Sequence, residues 1–276
     1  MSEIMSAFSN VPMWLIFFFS IALILLCIEV GYRWGKYKLG KQQGDAGTSI
    51  STMVQIQLGL VAFLVAFTFG FVAQRFCERR NFIIDEANAI GTTYLRADFL
   101  PETSANTVKE VLRKYVDLRL KLTRDVRQHF DDRLVEDALA ESNKLQTQLW
   151  NHTKLAASTH DSPCVAQFVS TVNDTIDLQS KRVYAERYGR LPDIIWVVLY
   201  GLTFLGMIGA GYQFGNAGAR NWIAATLFAV SFSIVLTMIA DIDRPQQGFI
   251  SVSQQPLIDL VKQIGKPTSQ SVDTAQ

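Results

Sequence analysis

The sequence predicts an all-α membrane protein with four membrane-spanning helices in two pairs, and with a helical bundle outside the membrane between the second and third spans. Two observations lead to this fold class. Apolar residues make up 49% of the chain, but they are concentrated in four blocks instead of being spread evenly. The polar stretch between the second and third blocks has helical periodicity and lacks the alternation of a strand.

The four apolar blocks are long enough to cross a bilayer, because a helix needs about 20 apolar residues to span roughly 30 Å of hydrocarbon. They lie at residues 12–32, 54–74, 193–214 and 222–241. The first block has no basic residue before it and a basic run after it, which does not fit a cleaved signal peptide. We therefore expect four retained spans in contact with the lipid bilayer.

The spans divide the chain into four predicted domains. These are a first transmembrane helix pair at 1–74, an extramembrane helical bundle at 75–192, a second transmembrane helix pair at 193–241, and a C-terminal segment at 242–276. No break follows the second span before Pro101, so we expect that span to continue as one helix to about residue 100.

The bundle is predicted from apolar residues that recur at three- and four-residue steps over 108–130, followed by a third helical stretch at 134–149. Ser162 and Pro163 begin a fourth helix, which should end near Gly189 and Pro192.

In the C-terminal segment we predict a short amphipathic helix after Pro256 and a disordered tail from residue 266. The predicted apolar face of that helix comprises Leu257, Ile258, Val261 and Ile264.

Small residues recur on the second and third spans. On the second they are Gly59, Ala62, Ala66 and Gly70, and on the third they are Gly206 with Ala210 and Gly211 with Gly215. Such residues let helix backbones approach closely in lipid, either within one chain or at a subunit interface. The second span also carries a phenylalanine stripe, namely Phe63, Phe67 and Phe71. This stripe is typical of a lipid-facing or core surface, but an apolar ring around a pore has the same pattern.

Glu29 is the one acidic residue inside the first span. An ionised group at the centre of a bilayer is costly, so it is expected near the membrane surface or in an ion pair. Arg33 follows four residues later, in the favourable order for a helical pair. We therefore interpret Glu29 as a paired acid and not as an ion-binding group.

A group of charged and amide residues follows the second span: Arg79, Arg80, Asp85, Glu86 and Asn88. It is either a set of structural contacts with neighbouring helices or part of a functional site. Asp241 and Asp243, at the end of the fourth span, offer oxygen ligands for a hard cation. Two carboxylates beside Arg244 favour a structural salt-bridge cluster over a metal site.

The sequence favours neither a nucleic-acid-binding protein nor an enzyme. Net charge is +1, and 75–192 holds 18 Lys and Arg against 17 Asp and Glu, so a basic surface is not indicated. The three cysteines form no close-spaced pair, and the three histidines have no ligands at metal-binding spacing. Phosphate-binding loops and nucleophile motifs are also missing.

Four motifs together resemble the bestrophin-like family of bacterial membrane proteins. They are Glu-Val-Gly-Tyr-Arg at 29–33, Asp-Glu-Ala-Asn-Ala-Ile-Gly at 85–91, Tyr-Leu-Arg-Ala at 94–97, and Asp-Ile-Asp-Arg-Pro at 241–245 with Gly248. The resemblance covers about 12–262.

More distantly, the chain is similar to the true bestrophins, which are pentameric anion channels with four spans per subunit and a cytosolic helical domain. In that family the second span lines the pore, which would make Phe63, Phe67 and Phe71 candidate pore residues here. The resemblance also implies calcium binding at the position of Asp241 and Asp243. The longer acidic run of calcium-binding members is missing, so we predict no cofactor.

The resulting hypothesis is an oligomeric ion channel with the second span on its axis, and the resemblance implies a pentamer that is anion-selective. The alternative is a non-conducting membrane scaffold or sensor that binds a partner through its helical domain. We expect a bacterial inner-membrane protein. Basic residues at 33–41 favour a cytoplasmic first loop, whereas those at 75–80 and 181–190 favour a cytoplasmic middle domain. The resemblance favours a cytoplasmic middle domain and cytoplasmic termini.

Overall fold

The computed structural model describes residues 11–39, 46–128, 132–159, 162–218, 220–244 and 248–265. The helices in this part of the chain are α1 (Met13–Leu39), α2 (Ala46–Arg96), α3 (Glu102–Gln128), α4 (Asp132–Thr159), α5 (Pro163–Tyr188), α6 (Asp193–Asn216), α7 (Trp222–Asp243) and α8 (Gln255–Ile264). A short 3₁₀ turn, Ala97–Phe99, follows α2. No strand occurs among the described residues.

The predicted fold class is confirmed, since four stretches are helical, long and apolar enough to cross a membrane. They contain α1, α2, α6 and α7. The expectation for the second span is also confirmed, because α2 runs without a break for 51 residues. The break between α5 and α6 lies where it was predicted. Gly189 caps the end of α5 through its backbone N–H, and Pro192 precedes the first residue of α6.

The chain forms two compact units, and the boundary between them falls within α2. The first unit comprises Met1–Phe76, Arg190–Arg244 and Gly248–Ile250, and the second comprises Cys77–Gly189, Pro245–Gln247 and Ser251–Gln276.

Within the first unit, glycines allow α1 and α6 to pack with their backbones in contact. A Cβ atom on Gly31 would collide with the backbone carbonyl oxygen of Ile208, and one on Gly211 would collide with that of Ile28. Packing and not the hydrophobic effect holds helices together in lipid, so this close approach is a main source of cohesion in the first unit. The small residues predicted on the third span therefore serve contacts within one chain.

The small residues of the second span are different. Gly59 and Gly70 have no atoms within 4 Å of the position that a Cβ would occupy, and Ala62 and Ala66 are exposed. The opposite side of α2 is buried with α6 and α7 in an apolar core. The buried residues of that core are Val61, Val65, Val72, Leu191, Leu199, Leu236, Ile239 and Ile242.

The second unit is built from the last part of α2 together with α3, α4, α5 and α8. The predicted helix start at Ser162 is confirmed, since its hydroxyl accepts a hydrogen bond of 3.2 Å from the Val165 N–H. Phe168 and Val172 on α5 are fully buried, as are Leu112 and Val116 on α3.

The C-terminal helix α8 forms as predicted, but its buried face differs from the one expected. Leu257, Leu260 and Ile264 are buried, whereas Ile258 is 39% exposed. Steps of three and four residues place the first three side chains on one side, and Ile258 is offset from Leu257 by about 100° around the helix. The predicted disordered tail from residue 266 lies outside the described residues.

A substitution at the glycine contact tests the packing of the first unit. Gly211→Ala places a methyl group against the Ile28 carbonyl and should lower the free energy of unfolding by about 1–3 kcal/mol, the usual cost of overpacking. The measurement is thermal unfolding of the full-length protein in detergent. Gly201→Ala on the same helix is the matched control, because that position has open space around it. Equal stabilities of the two variants would contradict this account of the contact.

Candidate functional site

One face of α2 in the first unit is uncovered. The side chains of Phe63 and Phe67 are 66% and 65% exposed, and their rings stack with centroids 6.4 Å apart. Phe71 is less exposed, and its ring lies 4.5 Å from the guanidinium carbon of Arg75. The three predicted pore candidates therefore lie on the surface of the chain.

The Glu29 carboxylate is paired in the second half of α1. Arg33 Nε lies 2.9 Å from Glu29 Oε1, and Arg220 Nη2 lies 3.2 Å from Oε2. The Arg220 guanidinium also lies 4.4 Å from the centre of the Trp222 ring. An arginine beside an aromatic ring and an acid is typical of a membrane–water interface, where the charges remain hydrated. The sequence indicated the Arg33 partner but not Arg220, which lies 191 positions away in the chain.

The two aspartates at the end of α7 cap backbone N–H groups. Asp241 accepts hydrogen bonds from the Phe249 and Ile250 N–H groups at 2.9 and 2.8 Å, and Asp243 accepts one from the Leu191 N–H at 2.9 Å. Within the ranges that the structure describes, no three His, Cys, Asp or Glu side chains lie together as a metal site would need. Both carboxylates are thus engaged in fixing backbone segments of the first unit.

The predicted charged group on α2 does not form one cluster. Arg79 and Glu86 are buried in the second unit, whereas Arg80, Asp85 and Asn88 are exposed. Adjacent residues on a helix point in directions that differ by about 100°. In each of the pairs 79–80 and 85–86, one side chain therefore lies on the buried face of α2 and the other on the exposed face. The buried face carries the interactions described next.

Glu86 is the centre of a buried ion-pair network. Its side chain is fully buried, and Oε2 lies 2.5 Å from Nη1 of Arg182 on α5. Two residues of α3 also reach this carboxylate. Tyr115 donates a hydrogen bond of 2.7 Å to Oε1, and Arg119 Nε lies 3.6 Å from the same oxygen. One carboxylate thus ties α2 to both α3 and α5.

Arg182 extends the network to two further groups. Its Nε donates to Glu186 at 3.0 Å, and its Nη2 donates to the side-chain oxygen of Gln254 at 3.1 Å, directly before α8. Arginine suits this position because its planar group offers five donors in fixed directions. Arg182 was not singled out from the sequence. A signal was present, since it lies three residues after the buried Gln179 on the inner face of α5.

Tyr115 donates a hydrogen bond from its hydroxyl group to the Glu86 carboxylate. Burial of the hydroxyl, and then the neighbouring Glu86 carboxylate, raise the pKa of Tyr115 well above its ordinary value. The phenol therefore keeps its proton and stabilises the carboxylate. The network joins three helices through one buried carboxylate, so its geometry supports a structural role.

Removing the Glu86 charge tests the network. Glu86→Gln removes the counter-charge of the buried Arg119 and one of the two counter-charges of Arg182, which should lower the free energy of unfolding by about 3–5 kcal/mol. Denaturant unfolding of the full-length protein in detergent measures this. Asp85→Asn, at the exposed adjacent position, is the control and should change stability by no more than about 0.5 kcal/mol. A Glu86→Gln variant as stable as its control would show that the network contributes little.

Solved structures share this fold at low sequence identity. A variant of a bacterial bestrophin homologue from Klebsiella pneumoniae is 14% identical, with a TM-score of 0.65, and the match covers 91% of this chain and 97% of that one. A second variant of a bacterial bestrophin homologue from the same organism is also 14% identical, with a TM-score of 0.64 and coverage of 92% and 99%. A structure described as a membrane protein variant has a TM-score of 0.67 at 12% identity, and the match covers 90% and 99% of the two chains.

In sequence, no curated protein matches the chain. A family model does match, however. The model of the bestrophin-like domain aligns with residues 17–257, which includes the uncovered face of α2, the Glu86 network and the capping aspartates. The chain therefore belongs to the bestrophin-like family of membrane proteins.

Proposed function

We propose that the protein is an oligomeric ion channel in which the α2 helices of several copies surround the conduction path. The observation that supports this most is the uncovered face of α2. In the apolar 18-residue stretch of each helix, 22% of residues are buried within the chain in α2, against 28% in α7 and 33% in α1.

The composition of that face fits contact with other copies better than contact with lipid. The exposed surfaces of α1 and α7 carry bulky residues such as Trp14, Phe18, Trp222 and Ile223, as lipid-facing helices do. Between residues 59 and 71 the exposed face of α2 combines the three phenylalanines and Leu60 with glycine and alanine, whereas Met53 and Ile56 are exposed nearer its start. Small residues allow close approach of a neighbouring helix, which lipid contact does not require. Family membership and the shared fold add to this support.

In this proposal Phe63 and Phe67 form an apolar constriction. A narrow ring of aromatic side chains disfavours water and thereby closes a pore until the ring widens. Its movement would be governed by α2, which continues beyond the membrane segment to Arg96 and is held there through Glu86. We further propose an anion as the permeant ion and a pentamer as the assembly, both from the resemblance to bestrophins.

Conductance and accessibility measurements test the channel. In planar bilayers, purified protein should conduct, and Phe67→Ala should raise the conductance because it removes bulk from the constriction. In a background with Cys77 and Cys164 replaced by serine, Phe67→Cys should be blocked by a water-soluble thiol reagent. Phe19→Cys, at a comparably exposed position on α1, is the control that should not respond, since a lipid-facing thiol is not reached from water.

Absence of conductance from an intact oligomer would overturn the channel and favour the scaffold or sensor. Block at position 19 but not at position 67 would place a helix other than α2 on the axis. A reversal potential in a KCl gradient that follows potassium instead of chloride would contradict anion selectivity alone.

We also propose a location in the bacterial inner membrane with the second unit in the cytoplasm. Cys164, on α5, provides a native probe because its thiol is exposed. In a Cys77→Ser background, a membrane-impermeant maleimide should label Cys164 only after the inner membrane is permeabilised. Labelling at the same rate in spheroplasts with an intact membrane would reverse the proposed orientation.

A further inference from the structure

A basic surface lies in the first unit where α1 and α6 end and α7 begins. The ends of α1 and α6 are in contact, because a Cβ on Gly35 would collide with the backbone carbonyl oxygen of Tyr212. The start of α7 joins them through the ion pair of Arg220 with Glu29. The described charged residues of this surface are four basic and one acidic, namely Arg33, Lys36, Lys38, Arg220 and Glu29.

Other acidic side chains do not offset this charge within the described part of the first unit. Asp193 is the first residue of α6, and Asp241 and Asp243 lie in the last turn of α7. All three are therefore at the opposite ends of these helices. The basic surface thus has a positive charge that its own described residues balance only in part.

Arg33 and Arg220 share the one carboxylate of this surface. Arg33 Nε lies 2.9 Å from Glu29 Oε1, and Arg220 Nη2 lies 3.2 Å from Oε2. The two arginine side chains are still 78% and 48% exposed, respectively. A guanidinium has five N–H donors, so each arginine keeps donors for a further acceptor. Because two arginines face one carboxylate, an anion is the favoured acceptor.

Two aromatic rings hold Arg220 in position. Its guanidinium carbon lies 5.3 Å from the centre of the Tyr32 ring and 4.4 Å from that of Trp222. Arg220 directly precedes Asn221, the N-cap of α7, where the helix dipole disfavours a cation and favours an anion. These four residues and Glu29 also line a pocket of about 20 Å³. That volume is enough for one water-sized group, such as an oxygen of a bound headgroup.

The helix surfaces beside the arginines are apolar and exposed. Leu26 on α1 and Ile223 on α7 are 59% and 75% exposed, and Trp34 and Trp222 are exposed as well. Apolar side chains together with tryptophan are typical of contact with lipid at the membrane surface. None of these residues lies on α2, which carries the proposed conduction path. A soluble anion would contact the arginines alone, whereas a phospholipid would contact the arginines and the apolar side chains.

We propose that Arg33 and Arg220 bind the phosphate of an anionic phospholipid, whose acyl chains lie against Leu26 and Ile223. A phosphate matches a guanidinium in charge and in hydrogen-bonding geometry. The two lysines of the basic surface add to the attraction for an anionic headgroup. By the positive-inside rule, the basic residues after the first span favour a cytoplasmic loop, in conflict with the proposed orientation. A bound anionic lipid accounts for these residues in either orientation.

Native mass spectrometry of the full-length protein in detergent tests this inference without relying on conduction. The probes are phosphatidylglycerol and phosphatidylcholine with identical acyl chains. We expect tighter binding of phosphatidylglycerol, and a loss of that affinity by about fivefold for Arg220→Gln, because one interfacial arginine contributes roughly that factor. Arg220→Lys keeps the charge and should keep most of the preference for phosphatidylglycerol. Arg80→Gln, an exposed arginine in the second unit, is the matched control and should change nothing.

A variant with the opposite expected sign separates lipid binding from a purely structural role. Glu29→Gln removes the acid that competes for both arginines, so it should raise the affinity for phosphatidylglycerol by about fivefold. If the ion pairs only stabilise the helix ends, Glu29→Gln should not raise this affinity, and that result would overturn the proposal.

Three further outcomes would overturn the proposal. They are equal affinity for the two lipids, equal effects of Arg220→Gln and Arg80→Gln, and displacement of phosphatidylglycerol by inorganic phosphate. The last result would show that the arginines take a free anion instead of a lipid headgroup. Failure of the channel proposal leaves each of these results unaffected.

Discussion

Helix α2 is subject to the constraint on which both units depend. The helix runs without interruption for 51 residues. Its apolar stretch has to be compatible with the hydrocarbon of the membrane, and the remainder has to be compatible with water. In the first unit one side of the helix packs in the core that contains Val61, Val65 and Val72. In the second unit the buried side carries Ile83, Glu86 and Ile90. The cohesive forces differ, because close packing dominates in lipid whereas burial of apolar surface dominates in water.

Burial of the Glu86 carboxylate is costly, and the structure offsets this cost with three partners on two helices. The short contact with Arg182, the Tyr115 hydroxyl and the longer contact with Arg119 together satisfy the carboxylate. Replacing such a network with apolar residues is often neutral for stability, whereas removing one partner is not. The network joins α2 to α3 and α5 in the register that the structure shows. That register is what would transmit movement of the bundle to α2 in a channel.

Much of the fold was predictable because lipid restricts the possible structures so strongly. Four apolar blocks of sufficient length predict four spans almost without further knowledge, and Pro101, Ser162 and Pro192 mark helix ends by simple backbone rules. The partners of charged residues were less predictable. Glu29 and Arg33 lie one helical turn apart, and so their contact follows from spacing. Glu86 and Arg182 are separated by 96 positions, and only the folded bundle brings them together.

The glycines show a second limit of the sequence. Gly59 and Gly211 occur in similar small-residue patterns, but Gly211 contacts the α1 backbone whereas Gly59 faces open space. Helical periodicity predicts on which face of a helix a residue lies. It does not predict whether another helix, lipid or a second subunit packs against that face. The same limit applies to the phenylalanine stripe, which is compatible with lipid, a subunit interface or a pore axis. Only the structure shows that Gly59, Ala62, Ala66 and Gly70 lie uncovered on the exposed face of α2.

Distances between copies test most directly whether α2 surrounds the axis. Spin labels at position 67 on α2 and at position 19 on α1 can be measured separately by pulsed electron paramagnetic resonance in lipid nanodiscs, in a background without Cys77 and Cys164. If α2 lines a central path, the distance between copies should be shorter for position 67 than for position 19. Shorter distances at position 19, or no dipolar coupling between copies at either position, would contradict the account.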